Sequence, residues 1–288
     1  MKRNSLIALA LLAWVSANAQ TPKTDDTKSK DEVVTTSDIK WGYLNPLRGD
    51  KSPAAGKLWG DRTDTQAAGF LVKFNKGFTS PPHIHNVTYR GVVIKGLLHN
   101  DDPKAESMWL PPGSFWAQPA GEAHITAAEG EENLAYIEIQ EGPYLVKPTT
   151  EAFDSGERPV NVDKSNLVWL NASDIIWVSQ ANTKEDTNAP KVAFLWGSYK
   201  KGELSGKLIK LPPGFTGEIH NQSPNFRAVI IQGTVKLQVS GKEKKSTLEA
   251  GSYFGAAQNS AHKITSTADQ ESIIYIRTNG KFEIEVSE

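Results

Sequence analysis

Apolar positions along this chain come in short runs of four to seven residues, cut by Pro, Gly, Asn and Asp, and none continues at helical spacing. Phe70-Leu71-Val72-Lys73-Phe74 and Leu134-Ala135-Tyr136-Ile137-Glu138-Ile139 are two such runs. Thr234 to Val239 alternates polar and apolar, the period of a strand with one buried face. The pattern predicts an all-β chain of short strands joined by turns, of the sandwich or barrel kind. One run differs. Leu6 to Val15 follows Lys2 and Arg3 and precedes Ala17-Asn18-Ala19, the layout of a secretory signal peptide. Its ten residues fall short of the roughly twenty that a membrane span takes. The expectation is a signal peptide over 1–19, cleavage after Ala19 and a periplasmic or secreted protein. Residues 20–36 are polar and charged, and read as a disordered linker.

The remaining pattern is written twice. Ser37-Asp38-Ile39-Lys40-Trp41 recurs as Ser173-Asp174-Ile175-Ile176-Trp177, and residues 58–96 match residues 195–233 without a gap at 14 of 39 positions. That alignment pairs His83 with His220, Arg90 with Arg227 and Gly96 with Gly233; after a one-residue insertion, His124 pairs with His262. Two tandem homologous units follow. Their expected bounds are 37–160 and 161–288.

Composition narrows the partners. Cysteine is absent, so stability must come from burial, and the chain is long enough for two ordinary cores. The net charge is −1, near −3 once Lys2 and Arg3 are removed, and no basic block occurs. Nucleic acid is excluded as an expected partner, and no membrane span is expected; a small molecule is the expected ligand, and homodimerisation stays open.

Five of the six histidines sit at matching places in the repeats: His83, His85 and His124 in the first, His220 and His262 in the second. Residues two apart on a strand share a face, so His83 and His85 point the same way. A third imidazole from a neighbouring strand, His124 after the Pro119-Ala120-Gly121 turn, would complete a site for a divalent transition metal. Nitrogen donors favour Zn or Fe, with Mn, Ni or Cu as further candidates, over Mg or Ca.

Gly77, five residues, His83-x-His85, then Gly96 resembles the first motif of the cupin superfamily, and Gly113, five residues, Pro119-x-Gly121-x-x-His124 resembles the second. The resemblance runs through both repeats and implies a bicupin: two tandem jelly-roll β-barrels, with a metal held by the motif histidines. The stretch from Trp116 to His124 is similar to a ChrR-like subgroup with functionally uncharacterised members. The carboxylate that the family places four or five residues after the second His is missing, since Tyr89 and Arg90 stand there. The resemblance therefore implies a three-His centre with open coordination positions. Tyr89 is a candidate ligand, base or packing residue, and Gln118 a candidate for orienting a substrate oxygen or bound water; both are carried as candidate catalytic residues.

In the second repeat Gln222 and Phe226 replace His85 and Tyr89, so that site is expected to be degraded. Glu218, His220 and Gln222 would share one strand face as a weak mixed set. His99, aligned with Lys236, is expected to face solvent. Trp59, Trp109 and Trp116 are expected core residues. The implied function is a metal-dependent enzyme on a small organic substrate, dioxygenase-like or lyase/hydrolase-like. The alternative is a non-catalytic periplasmic cupin that binds or senses a metal or metabolite.

Overall fold

The computed structural model describes residues 28–175, 178–179, 189–200 and 202–287. The expected signal peptide lies outside the described residues. The described chain is strands and short 3-10 turns. Each half builds a seven-stranded sheet backed by smaller strands. In the first half the order is Val160–Val162, Phe115–Gln118, Tyr89–Lys95, Asn133–Ile139, Ala68–Phe74, Ala54–Trp59, Trp41–Tyr43. Facing it are the strands Phe78–Thr79, Ile125–Ala128 and Leu98–Asp101, and the pair His83–His85 with Val146–Pro148. In the second half the order is Glu32–Val34, Tyr253–Ala256, Phe226–Gln232, Ser272–Thr278, Ser205–Leu211, Lys191–Gly197, Leu170–Asn171, opposite a six-stranded sheet.

Strand alternation sorts side chains into three cores. Phe70, Val72, Ala135, Ile137 and Ile139 point between the sheets of the first half. Ile209, Leu211, Ile274 and Ile276 do the same in the second. The opposite faces of the same strands, with Leu71, Tyr136, Leu208 and Tyr275, meet in a third core where the two large sheets pack together. Both faces of the central strands are thus buried, which is why they read as near-continuous apolar runs.

The third core carries polar groups in duplicate. Trp59 Nε1 donates to Tyr136 Oη at 3.1 Å and Trp196 Nε1 to Tyr275 Oη at 2.9 Å. Both phenols donate to buried Glu138, at 3.0 and 2.9 Å, and Arg277 Nε lies 3.8 Å from the same carboxylate. Arg227 stacks over Trp59 and Arg90 over Trp196, 4.3 and 4.0 Å from the ring centroids. Gly69 and Gly206 leave room for these indoles, since a Cβ at either would collide with the Trp and Tyr beside it.

The halves also exchange arms. Glu32–Val34 pairs with Tyr253–Gly255 on the second half's sheet, and Val160–Val162 pairs with Phe115–Ala117 on the first half's. Each arm covers an edge that would otherwise expose unpaired backbone groups. The expected boundary at 160/161 falls inside one of these strands. The described part of the expected linker, residues 28–36, is likewise corrected to an edge strand and a 3-10 turn. Edge pairing uses backbone hydrogen bonds and needs little apolar sequence; Val33 and Val34 supply what there is, each packed against a core.

Candidate metal centre

His83 and His85 lie on the strand His83–His85, and His124 bridges to His83 across the sheet. The approach to that strand carries one extra residue. From Thr79 to His83 is four steps, whereas the partner strand runs three, from Ala127 to His124. The surplus falls at Pro81 and Pro82, which cannot donate to a ladder. In the second half the pairing is regular: Thr216 opposes Thr265 and Ile219 opposes His262.

This corrects the expected pairing of His83 with His220. Ile219 occupies the place of His83. Asn221 occupies the place of His85, for the Asn221 carbonyl accepts from Asn259 N as the His85 carbonyl accepts from Gly121 N. A compensating residue before Phe226 restores the register, since Phe226 opposes Ala256 as Tyr89 opposes Gln118. The two changes cancel in a gapless alignment. A one-residue slip moves a side chain to the other face of a sheet, so His220 points outward beside Glu218 and Glu285, with Nε2 3.3 and 3.0 Å from their carboxylates. Inside, Asn221 donates to backbone carbonyls and His262 Nε2 lies 3.3 Å from Asp31 Oδ1 on the N-terminal arm. The second half therefore lacks an inward three-donor set among the described residues. The outer trio can also gather around an ion, but Lys263 Nζ already stands 3.7 Å from Glu218.

In the first half the three rings converge, with centroids 4.3 to 5.3 Å apart. Each Nδ1 meets a backbone carbonyl: His83 that of Pro81 at 2.9 Å, His85 that of Leu145 at 2.9 Å, His124 that of Glu122 at 3.1 Å. A carbonyl only accepts, so each Nδ1 carries the proton and each Nε2 keeps its lone pair. Burial holds His83 below the usual imidazole range, and holds His85 well below it, helped by His124 and His83. Burial, then the neighbouring His83, lowers His124 to about 3. Three neutral imidazoles with unprotonated Nε2 atoms and no cysteine or carboxylate among them form a cluster that can coordinate a divalent transition metal.

A pH dependence follows. The unfolded imidazole of His124 protonates near 6.5, the folded one near 3, so between those values the unfolded state binds more protons. This contribution to stability is full above about pH 6.5 and is lost as pH falls toward 3. Chelator-treated protein should show a falling denaturation midpoint over that window, and His124→Gln should flatten the slope. An unchanged slope would contradict the buried neutral state.

Two residues absent from the expected site help to build it. Tyr144 stacks on His85, with centroids 4.1 Å apart, and donates to its Nε2 at 3.0 Å. Asn100 accepts from Tyr89 Oη at 2.7 Å and from Thr126 Oγ1 at 2.8 Å, and donates to Gln118 Oε1 at 2.9 Å. The register that turns His99 outward turns Asn100 inward, so Asn100 was legible in principle. His99 does face away from the centre, but its expected solvent exposure is corrected: it is 1 % exposed, with Met108 N donating to its Nδ1 and Trp109 packed alongside. Tyr89 lines the centre with its oxygen 3.2 Å from His124 Nε2, and burial pushes its phenol up, so it is a neutral hydroxyl. Gln118 is buried one hydrogen bond further out, behind Asn100.

Above His83 and His85 opens a cavity of about 350 Å³. Its walls include Phe74, Phe78, Trp116, Tyr144, Leu145 and Val146. Among the described residues, Arg48 is the one charged side chain on the lining, and no carboxylate lines it.

Solved structures share this all-β, cupin-type fold at low sequence identity. A putative dioxygenase from Nostoc punctiforme PCC 73102 is 16% identical with TM-score 0.61, covering 88% of this chain and 83% of that one. AerE from Microcystis aeruginosa is 14% identical with TM-score 0.51, over 87% and 97%. A mutant form of the oxalate decarboxylase of Bacillus subtilis is 14% identical with TM-score 0.52, over 90% and 80%. A search of curated proteins finds no match. The model of one family spans both halves and the whole centre, matching residues 32–285, and the chain belongs to that family, described as Domain of unknown function (DUF4437).

Proposed function

We propose that this protein is a metal-dependent enzyme whose three-histidine centre acts on a small organic molecule of largely apolar body. One observation carries the reading: three imidazoles with carbonyl-anchored Nδ1 atoms and unprotonated Nε2 atoms converge, with no carboxylate or cysteine among them, beside an open cavity that His83 and His85 line. A structural site is closed by its fourth ligand, whereas a catalytic site keeps a position for water or substrate. Bound there, a divalent metal would polarise a substrate oxygen, activate water or, as iron, bind oxygen beside the substrate. The chain's own residues do the rest. Phe74, Phe78 and Trp116 bury an apolar body and exclude water, Arg48 draws an anionic group to the lining, and Tyr89 offers a neutral hydroxyl next to His124. The relatives named as a dioxygenase and a decarboxylase support a reading in either reaction class.

Elemental analysis of native protein, followed by turnover screening of zinc- and iron-loaded samples with apolar carboxylates and phenols, tests the proposal. One ion per chain with turnover is the expected result. Tight ligand binding without turnover would favour the sensing role of the ChrR-like resemblance, and metal-free native protein would remove the reading altogether.

We place the enzyme outside the cytoplasm, on the strength of the leader-like residues 1–19, and read its two halves as jelly-roll barrels. Sequencing the N-terminus of periplasmic material should begin at Gln20; an intact Met1 on cytoplasmic protein would refute export. Among the described residues no helix is long and apolar enough to cross a membrane.

A further inference from the structure

The hydrogen bonds behind the centre run in one direction. The Glu122 carbonyl can only accept, so Gln118 turns its Nε2 toward it at 3.4 Å. That choice points Gln118 Oε1 at Asn100, fixing Asn100 Nδ2 as the donor and leaving Asn100 Oδ1 toward Tyr89 and Thr126. Each amide is thereby oriented by the one behind it, and all three side chains at the near end are held: Asn100 is 3 % and Gln118 1 % exposed, and Tyr89 is buried. Tyr89 has one proton and two acceptors within reach, Asn100 Oδ1 at 2.7 Å and His124 Nε2 at 3.2 Å. A metal ion on His124 uses up the Nε2 lone pair, so the proton then has only Asn100 to go to. The phenol oxygen, on a side chain that lines the cavity, then serves as an acceptor.

We propose that Asn100 is a positioning residue that makes Tyr89 a hydrogen-bond acceptor at the centre, so that the site selects ligands bringing an O–H or N–H donor to that point. The inference rests on the metal-centre reading and adds the class of group the substrate carries there: a hydroxyl or amine on an apolar body, in preference to a bare carboxylate or ether. The aromatic walls supply the contact for that body, and an acceptor buried without a donor loses its bond to water with no replacement.

Mandelate and its O-methyl ether, 2-methoxy-2-phenylacetate, are a suitable pair of probes. Both carry a carboxylate and a phenyl ring, and only mandelate keeps the donor. Binding is read by calorimetry on zinc-loaded protein, with zinc content measured for every variant. Mandelate should bind about fivefold tighter or more, the worth of one hydrogen bond at roughly 1 kcal/mol. Steric differences between the probes are common to all variants, so the change in ratio isolates the acceptor. The ratio should collapse in Tyr89→Phe and in Asn100→Leu, which frees the Tyr89 proton to turn inward. It should persist in Asn100→Asp, which still accepts from Tyr89.

If Asn100→Leu does not fold, the hydroxyl proton of Tyr89 provides a second measurement. As a buried, bonded proton it should appear in the NMR spectrum of wild type, vanish in Tyr89→Phe and stay in place on zinc addition. A ratio unchanged in Tyr89→Phe, or a proton resonance lost on zinc addition, would overturn the relay while leaving metal binding intact. Failure of wild type to bind zinc would overturn the metal-centre reading and this inference with it, and the zinc measurement separates the two cases.

Discussion

Replacing His83, His85 or His124 by Ala should strip the metal. Changes to groups that merely support a ligand typically cost 10–100-fold in affinity, so loss of one of three ligands should cost more than about 100-fold. Dialysis against a weak chelator, followed by elemental analysis, would find about one ion per wild-type chain and far less in each variant. His220→Ala should leave this tight binding unchanged, because the register slip puts its ring on the outer face with Glu218 and Glu285. His262→Ala should also leave it unchanged, its ring lying in the other half near Asp31. His99→Ala should do the same, being covered by Met108 and Trp109 away from the centre. A second tight ion, lost with His220, would mean that the outer trio binds metal despite Lys263. Retention of the ion in all three first-half variants would place the metal elsewhere.

Glu138→Ala should destabilise the fold by about 3–5 kcal/mol, the usual cost of removing one partner from a buried charge pair. Glu138 is 1 % and Arg277 0 % exposed, and the carboxylate also takes both Tyr136 and Tyr275 hydroxyls. The two residues hold equivalent places in the repeats, each two positions after one of the paired tyrosines, and carry opposite charges. Replacing both, as Glu138→Leu with Arg277→Met, should recover much of the loss, because an apolar pair of similar volume is often no less stable than a buried ion pair. Denaturant midpoints of the single and double variants measure both effects. A change below about 0.5 kcal/mol in Glu138→Ala, as at ordinary surface positions, would show that the carboxylate does not hold the halves together.

Period-two alternation and turn residues sufficed to predict an all-β chain, because each strand's pattern is local and both signals act over a few residues. The same locality made the metal ligands legible. His83 and His85 share a face whatever surrounds them, and the Pro119-Ala120-Gly121 turn lies three residues before His124. The repeat was visible because tandem copies keep matching residues in order, as with Trp59 and Trp196.

Other features depended on which surfaces meet. Whether His220 faced in or out turned on a one-residue surplus at Pro81 and Pro82, balanced by another before Phe226, and balanced insertions leave no gap to detect. His99 had the expected direction but not the expected exposure, since a loop from 102 to 110 folds over it. Glu32–Val34 looked like linker because an edge strand is held by its backbone, which every residue carries. Tyr144 and Asn100 entered the centre from segments without a motif, and Glu138 and Arg277 lie 139 positions apart. A residue's type and near neighbours determine which face of its own strand it shares. What lies opposite that face is decided by strands distant in the chain, and only the packed tertiary structure settles it.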